Sequence, residues 1–513
     1  MSSVPDTLGD DRASAERRKW LVLAGVAIPS FLGCIDFTIV NTALPLLQTA
    51  LHPPIWALQA VVNAFLLALS ASLILAGRMA DLFGRRRLLF IGLAAFGAGS
   101  ILAGAAGSIG WLLAARAIQG AACAILYTTS ASTVADAFPE AERGQAIGLL
   151  FGINGAGLAI GPAVGGLLAG AFGWRSIFLV NVPFVVVAAL LCLAVVSESR
   201  VAATGRSDWA GALLLILTTS LLVAGIQAGG ARGWTSLAAL ALLVPAIAAG
   251  VALVLVEERA PEPILPVRWI VRPAVGAALI ATAALAAFYC SAFFLLPIYL
   301  QSVLGLPAEA AGLMLLTATL GVGIFSPIAG RVADRLGVRV LLLGGFAVFA
   351  VSAAILALLP VQPDWPLLVA ALFLIGLGWA AILGPSTVAA IAALPAEAGA
   401  LAVGIASTIH NIGGALGLAF ATIAFEQAVV ARFGAVTTVA VPADAVHRGL
   451  TAEPGFAALF ADTSITSARL HELFATTFLA GLHAVGWYLF AVSVAAAALI
   501  AWLSPHRHQG TPA

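Results

Sequence analysis

The chain has 513 residues, 62% of them hydrophobic and only 9% charged, with a formal net charge of +1. Apolar runs of about 20 residues recur with short interruptions, each long enough for a hydrocarbon core of about 30 Å, which excludes a soluble globular protein. The basic residues sit in separate turns, so nucleic-acid binding gains no support, and with Lys19 as the lone lysine no GxxxxGK[ST] phosphate loop exists to power an ATPase within this chain.

Residues 1–19 read as a polar, disordered cytoplasmic tail ending at Glu16–Lys19. The apolar run that follows outlasts the roughly 7–15 residues of a signal core and lacks a small-residue cleavage site, so it is an uncleaved first helix. Fourteen spans are predicted: 20–48, 56–77, 88–107, 111–135, 144–170, 176–197, 209–229, 235–256, 274–300, 309–330, 340–359, 366–393, 399–425 and 478–503. Most connections are short and make neighbours antiparallel; the exceptions are 198–208, 257–273 and 426–477. The last of these fits either a hairpin or amphipathic helix over the outer exit, or a passive linker. With both termini inside, 18 of the 24 basic residues lie on the cytoplasmic side and five outside, with Arg116 inside a helix. Glu426 closes the thirteenth span as an interfacial residue, and Trp56, Trp111 and Trp174 mark span boundaries. His410 and His483 read as hydrogen-bonded helix residues. Cys34, Cys123, Cys192 and Cys290 read as free buried thiols, and no metal-ligand spacing occurs.

Three groups of residues carry chemistry. The first is a repeated charged turn, GRMADLFGRR at Gly77–Arg86 and GRVADRLGVR at Gly330–Arg339. Each copy ends an apolar run, and duplicated membrane bundles of this kind typify secondary transporters. The glycines permit close backbone approach, while the aspartates accept from arginine or cap the next helix. A solvated turn with positive-inside charge is one reading. Two copies in register favour the other, a cytoplasmic gate of Gly77, Asp81, Gly84, Arg85, Arg86, Gly330, Asp334, Arg335 and Arg339. That gate closes when the site faces outward and breaks when it faces inward. The second group is the fifth span, where Gly157, Gly161 and Gly165 recur every four residues and Pro162 invites a bend. Simple packing glycine is one reading; a sliding or bending interface is the other. NIGGALG at Asn411–Gly417 is a weaker echo, and Asn154 and Asn411 are spaced nearly as the two turns are.

The third group is intramembrane charge. Asp36 in the first span and Arg116 in the fourth both lie toward the outer half, and an ionisable group at such depth is by default functional. They form either a static pair or a proton site. If their contact is made in one state and lost in the other, Asp36 changes its proton affinity during a cycle. Asn41, Asn63, Phe65, Gln119, Asn154 and Asn411 are candidate cavity residues.

Together these residues resemble the Major Facilitator Superfamily in its fourteen-helix drug/proton antiporter branch, of the EmrB/QacA type. GRMADLFGRRR is similar to the signature after the second helix, RAIQG to the fourth-helix motif and GPAVGG to the antiporter motif of the fifth. DFTIVNTALP is similar to the first-helix signature, and GWRSIFLVNVPF at Gly173–Phe184 to the turn into the sixth helix; by the same resemblance Gly157, Gly161, Pro162, Gly165 and Gly166 would carry the antiport-type bending. The resemblance implies an all-α polytopic membrane protein. A six-helix bundle at 20–197 and another at 274–503, which includes the loop 426–477, flank a linker at 198–273 with two inserted helices beside the bundles. Residues 504–513 form a cytoplasmic tail. It implies a proton-coupled exporter of small amphipathic organic compounds in the inner membrane, driven by the proton gradient without a cofactor. Periplasmic adaptor proteins are candidate partners. A dedicated exporter of one metabolite or antibiotic is the alternative, and a non-transporting receptor or scaffold a remote one. No paired catalytic carboxylates, His-rich cluster or nucleophile argues for an enzyme. Two departures stand out: Ala60 and Phe65 occupy positions where relatives carry Trp and Tyr, and Val338 replaces the counterpart of Arg85.

Overall fold

The computed structural model describes residues 7–198, 209–260, 263, 272–362, 364–393, 399–436 and 467–503. These form fourteen helices and no strand. The first six are α1 (Thr7–Leu51), α2 (Ile55–Phe83), α3 (Arg85–Gly104), α4 (Ile109–Ala137), α5 (Glu140–Phe172) and α6 (Ser176–Val195, its main part starting at Asn181). A hairpin of α7 (Trp209–Arg232) and α8 (Leu237–Glu257) follows. The last six are α9 (Pro273–Val303, closing in a π-helical turn from Tyr299), α10 (Ala308–Leu336), α11 (Val338–Ala357), α12 (Trp365–Ala392), α13 (Gly399–Val436) and α14 (Ser467–Leu503). Several starts follow from local chemistry. Ser108 and Ser236 side chains accept from Trp111 and Ala239 backbone N–H, capping α4 and α8, and Pro54, Pro139 and Pro307 precede α2, α5 and α10.

Every predicted span falls on one of these helices. By length and composition, eleven of the described helices can cross a membrane, and α5 makes a twelfth if its bent halves count as one. In α2 and α7 the apolar stretches are shorter, Trp56–Ser70 and Ala210–Ile226.

Packing repeats the duplication. The pairs α1·α5, α2·α4, α3·α4, α1·α4, α1·α6 and α3·α6 recur eight helices later as α9·α13, α10·α12, α11·α12, α9·α12, α9·α14 and α11·α14. The two sets meet through α5·α10, its symmetry mate α2·α13, and α1·α9. Helix α7 lies against both α2 and α13, whereas α8 packs on α7 and leaves Leu237, Val244, Ile247 and Val251 exposed, as a lipid-facing helix does.

Four expectations change. Residues 7–19, read as disordered tail, are helical and continue α1. Lys19 is buried there, bonded to Glu142 of α5 at 2.5 Å and to Glu16 at 2.8 Å, so a charged segment is tethered rather than free. The connection 426–477 is shorter than expected, because α13 runs on to Val436 and α14 begins at Ser467; 437–466 lie outside the described residues. Glu426, expected at an interface, is consequently buried within a continuous helix. Trp56 and Trp111 are exposed at span ends, but Trp174 is buried, with Arg175 stacked 4.2 Å from its ring.

The repeated turns share one backbone solution. Gly84 has φ 101° and Gly337 φ 86°, each ending one helix as the next begins; L side chains rarely adopt such angles. Gly77 and Gly330 carry no such need. The nearest atom to a Cβ at Gly77 would be 3.9 Å away, and none lies within 4 Å at Gly330, so the close approach expected at Gly77 is absent.

Candidate functional site

Asp36 and Arg116 meet, both with 0% exposure, in an ion pair between α1 and α4. The pair sits in a polar cage. Arg116 also donates to Gln119 Oε1 at 3.0 Å and to the Val61 carbonyl at 3.4 Å. Gln119 Nε2 donates to Asp36 at 3.3 Å and to Ser100 Oγ at 3.0 Å, and Asn181 Nδ2 donates to Asp36 Oδ1 at 2.7 Å. Helices α4 and α6 thus donate to the carboxylate carried by α1, and α3 joins the cage through Ser100. Gln119, expected in a cavity, belongs to this cage instead, because its position one helical turn beyond Arg116 points it at the same acid.

One wall of the cage faces the seam between the halves. The Arg116 guanidinium lies 4.4 Å from the Phe65 ring, which stacks on Phe37 at 6.3 Å. Phe37 meets Tyr289 of the other half edge-on at 5.9 Å, and Tyr289 stacks on Trp379 at 4.2 Å. The Tyr289 hydroxyl and Thr282 each lie 3.0 Å from a ring nitrogen of His410, and His483 bonds the Leu359 carbonyl at 2.8 Å, so both histidines are hydrogen-bonded helix residues. On α1, α2, α5 and α12, buried atoms of Asn41, Asn63, Asn154 and Trp379 have no hydrogen-bond partner among the described residues, whereas Asn411 is half-buried. Orphaned polar atoms on helices of which α1, α2 and α12 also carry aromatic rings of the seam suit a ligand with both flat rings and polar groups. Space is small here: the void between Gly155, Leu158, Thr319, Val322, Trp379 and Leu383 is about 10 Å³, so a drug-sized molecule enters only when the halves part.

The glycine stripe on α5 has two faces. Gly157, Gly161 and Gly165 lie on α1, where a Cβ would run into Phe31, Thr38 and Thr42 respectively. Gly166 and Gly170 face α10 across the seam, against Ala308 and Glu309. Pro162 has no N–H, leaving the Leu158 carbonyl without its helical donor. The Thr38 hydroxyl donates to that carbonyl at 3.2 Å, and α5 bends by 41° between Gly152–Leu158 and Ile160–Phe172. Thr38→Val should therefore lower stability by about 0.5–1.5 kcal/mol, the net worth of one hydrogen bond. A melting curve in detergent reads this as a lower midpoint, and an unchanged midpoint would refute the assignment.

At the end far from the charged turns the halves are sealed. Gln301, in the π-helical turn, donates to the Thr42 carbonyl at 2.8 Å, and Gly312 of α10 packs on the Pro162 carbonyl. Beyond the seal lies a vestibule of about 540 Å³ whose lining includes Leu46, Thr49, Gln301, Ser302 and Glu309. At the opposite end the described partners of Arg85, Arg86 and Arg339 belong to their own half. Arg85 pairs with Asp136 at 2.5 Å, the Arg86 backbone donates to Glu198 at 3.2 Å, and Arg339 donates to the Ala501 carbonyl at 3.1 Å. The expected latch between halves is not formed by these described partners. The side chains of Asp81 and Asp334 lie outside the described residues, and Arg335 is exposed.

Asn181, Ser100, Phe37, Tyr289 and Trp379 were not singled out from sequence. For Asn181 a signal existed, a lone amide inside the apolar run of GWRSIFLVNVPF.

A model of the Major Facilitator Superfamily matches residues 26–418 and 277–510. The multidrug resistance protein Stp of Mycobacterium tuberculosis (strain CDC 1551 / Oshkosh) is 36% identical over 405 residues, 79% of this chain and 75% of that protein. The tetracenomycin C resistance and export protein of Streptomyces glaucescens is 31% identical over 78% of this chain and 75% of its own length. The puromycin resistance protein of Streptomyces alboniger is 34% identical over 78% of this chain and 81% of its own. Among solved structures, an inward-facing bacterial homologue of the lysosomal transporter Spinster superposes with a TM-score of 0.67 at 17% identity, covering 94% of this chain and 96% of the other.

Proposed function

The chain belongs to the Major Facilitator Superfamily, and from that premise we propose that it exports amphipathic organic compounds across the inner membrane in exchange for protons. It is a transporter rather than an enzyme, and its drug-resistance relatives support an export direction. The observation that carries proton coupling is the fully buried Asp36–Arg116 pair, joined to Tyr289 of the other half through two aromatic rings, Phe65 and Phe37. Proton uptake by Asp36 weakens its hold on Arg116, Phe65 repacks, and the row Phe65–Phe37–Tyr289 transmits the change to the other half. The conformation described here, closed at the vestibule end, corresponds on this reading to a state sealed from the outside.

The finer reading places the chain in the fourteen-helix drug/proton antiporter branch, with bundles at 20–197 and 274–503, inserted helices within 198–273 and cytoplasmic termini. The gate, antiporter-helix and cavity roles of the residues named above belong to the same proposal. The gradient supplies the energy without a cofactor, and adaptor proteins remain candidate partners. A second reading, export of a single antibiotic, is favoured by the names of two relatives, each of which carries one compound.

Dye efflux from proteoliposomes under an imposed pH gradient tests the function. Transport indifferent to the gradient would sink proton coupling, and a resistance panel separates broad from dedicated export. The cage offers one acid to the seam, so neutral and singly charged compounds should be exported better than matched dications. Equal resistance to both in an overexpressing strain would count against this.

A further inference from the structure

The cage around Asp36 contains two side-chain amides, and they are not equivalent. Gln119 is engaged at both ends: its Oε1 accepts from Arg116, and its Nε2 donates to Ser100 and Asp36. Turning it over would set an NH₂ group against a guanidinium, donor against donor. Asn181 is engaged at one end only. Its Nδ2 donates to Asp36 at 2.7 Å and approaches Ser100 Oγ at 3.4 Å, while its Oδ1 is buried with no partner among the described residues. The residue itself has 0% exposure, so water does not reach that oxygen from the surface.

Arg116, Gln119 and Asn181 all present N–H groups to Asp36. That arrangement suits an ionised carboxylate, which only accepts. A protonated carboxyl needs an acceptor for its new O–H. Ser100 Oγ, the Val61 carbonyl and Gln119 Oε1 each already accept a hydrogen bond, from Gln119, Arg116 and Arg116 respectively, and keep a second lone pair. The Asn181 oxygen differs from them in accepting no hydrogen bond at all from the described residues.

We propose that Asn181 is a positioning residue whose amide inverts when Asp36 takes up a proton. Its Nδ2–H donates to the carboxylate in the ionised state. After a half-turn about Cβ–Cγ, its Oδ1 accepts the carboxyl O–H in the protonated state. The proton stays on Asp36, and no covalent bond to Asn181 forms or breaks. The two ends of an asparagine amide are nearly the same size, so the inversion fits a fully packed site. Asn181 thereby gives both protonation states a hydrogen-bond partner and keeps either from being stranded in the membrane interior.

The ionisable groups facing Asp36 are Arg116 and, more distantly, Cys123, both from α4. Helices α3 and α6 contribute Ser100 and Asn181, α2 the Val61 carbonyl, and α9 places Tyr289 against Phe37 rather than against the acid. The inference rests on Asp36 as the proton carrier, and its test separates the two.

The full-length protein is reconstituted in vesicles and proton-driven ethidium transport is measured against pH for wild type, Asn181→Leu and Asn181→Ser. Leucine removes a donor from one protonation state and an acceptor from the other. The maximal rate should fall about tenfold while the pH of half-maximal rate holds. Serine, whose hydroxyl donates or accepts by rotating, should restore much of the rate. An alkaline displacement of that pH by about one unit in Asn181→Leu would mean a donor-only role and overturn the inversion. An unchanged rate and profile would make Asn181 a spectator and overturn it equally. If Asn181→Leu does not insert, difference infrared spectra of wild type between alkaline and acid buffer decide. A carboxylic-acid band lost in Asp36→Asn, with a side-chain amide carbonyl shift lost in Asn181→Ser, supports the inversion. The acid band without the amide shift refutes it and leaves proton coupling standing, whereas no acid band refutes both.

Discussion

Asp36→Asn should abolish proton-driven export while leaving downhill exchange of the same compound measurable. Two effects must be kept apart, because both members of the pair have 0% exposure. Removing one partner of a buried ion pair typically costs about 3–5 kcal/mol, since the remaining charge is left uncompensated. A drop in melting temperature and yield is therefore expected from Asp36→Asn whatever its role in transport. A static structural pair would lose activity only through that instability.

The double variant Asp36→Asn/Arg116→Gln separates the readings. Neutralising both members removes the stranded charge, and buried pairs are often replaced by neutral groups at little net cost. The double variant should melt closer to wild type than the single one does. If Asp36 carries the proton, uphill export stays absent despite the recovered stability. If the pair is only structural, export returns with the fold. Proteoliposomes with and without a pH gradient read out both arms, and gradient-driven accumulation by the double variant would refute the proposed role of Asp36.

The parts of this molecule that sequence exposed are those with a strong local cost. Charges at Asp36 and Arg116 are too expensive in an apolar run to be incidental, and the pair was expected to meet. The doubled turn marked the duplication because Gly84 and Gly337 both need a positive φ. Asn181 and Ser100 escaped because a small polar residue in a membrane helix is unremarkable until two other helices bring partners to it. Gln119 was assigned to a cavity because periodicity gives a residue's face but not what packs there. The burial of Glu426 escaped for a related reason. The thirteenth apolar run ends at that acid, but the helix continues to Val436, and hydropathy cannot tell a span that ends from one that grows polar. Residues 7–19 show the same limit, since tethering of Lys19 depends on Glu142, far away in sequence.

Gly312→Ala should cut transport about tenfold or more, through a physical cause different from that of a proton-site variant. A Cβ at Gly312 would stand 2.5 Å from the Pro162 carbonyl oxygen and 3.2 Å from the Gly166 Cα, both of them backbone atoms of the opposing half. Backbone held in a helix cannot swing aside as a side chain does, so the halves must separate. That clash exists only where α5 and α10 are closed upon each other. Overpacking of this kind typically costs about 1–3 kcal/mol, and applied to one of two states it shifts their ratio by about 5- to 150-fold. Alternating access needs both states, so a cycle that seldom closes its vestibule end runs slowly even though each half folds normally. Gly155→Ala on α5 is the internal control, because no atom lies within 4 Å of its would-be Cβ. In a Thr49→Cys background, Gly312→Ala should raise labelling by a membrane-impermeant thiol reagent at the vestibule and cut export about tenfold or more, while Gly155→Ala changes neither. Export at the wild-type rate in Gly312→Ala, or equal damage from Gly155→Ala, would show that contact between α5 and α10 is not the closing surface of the cycle.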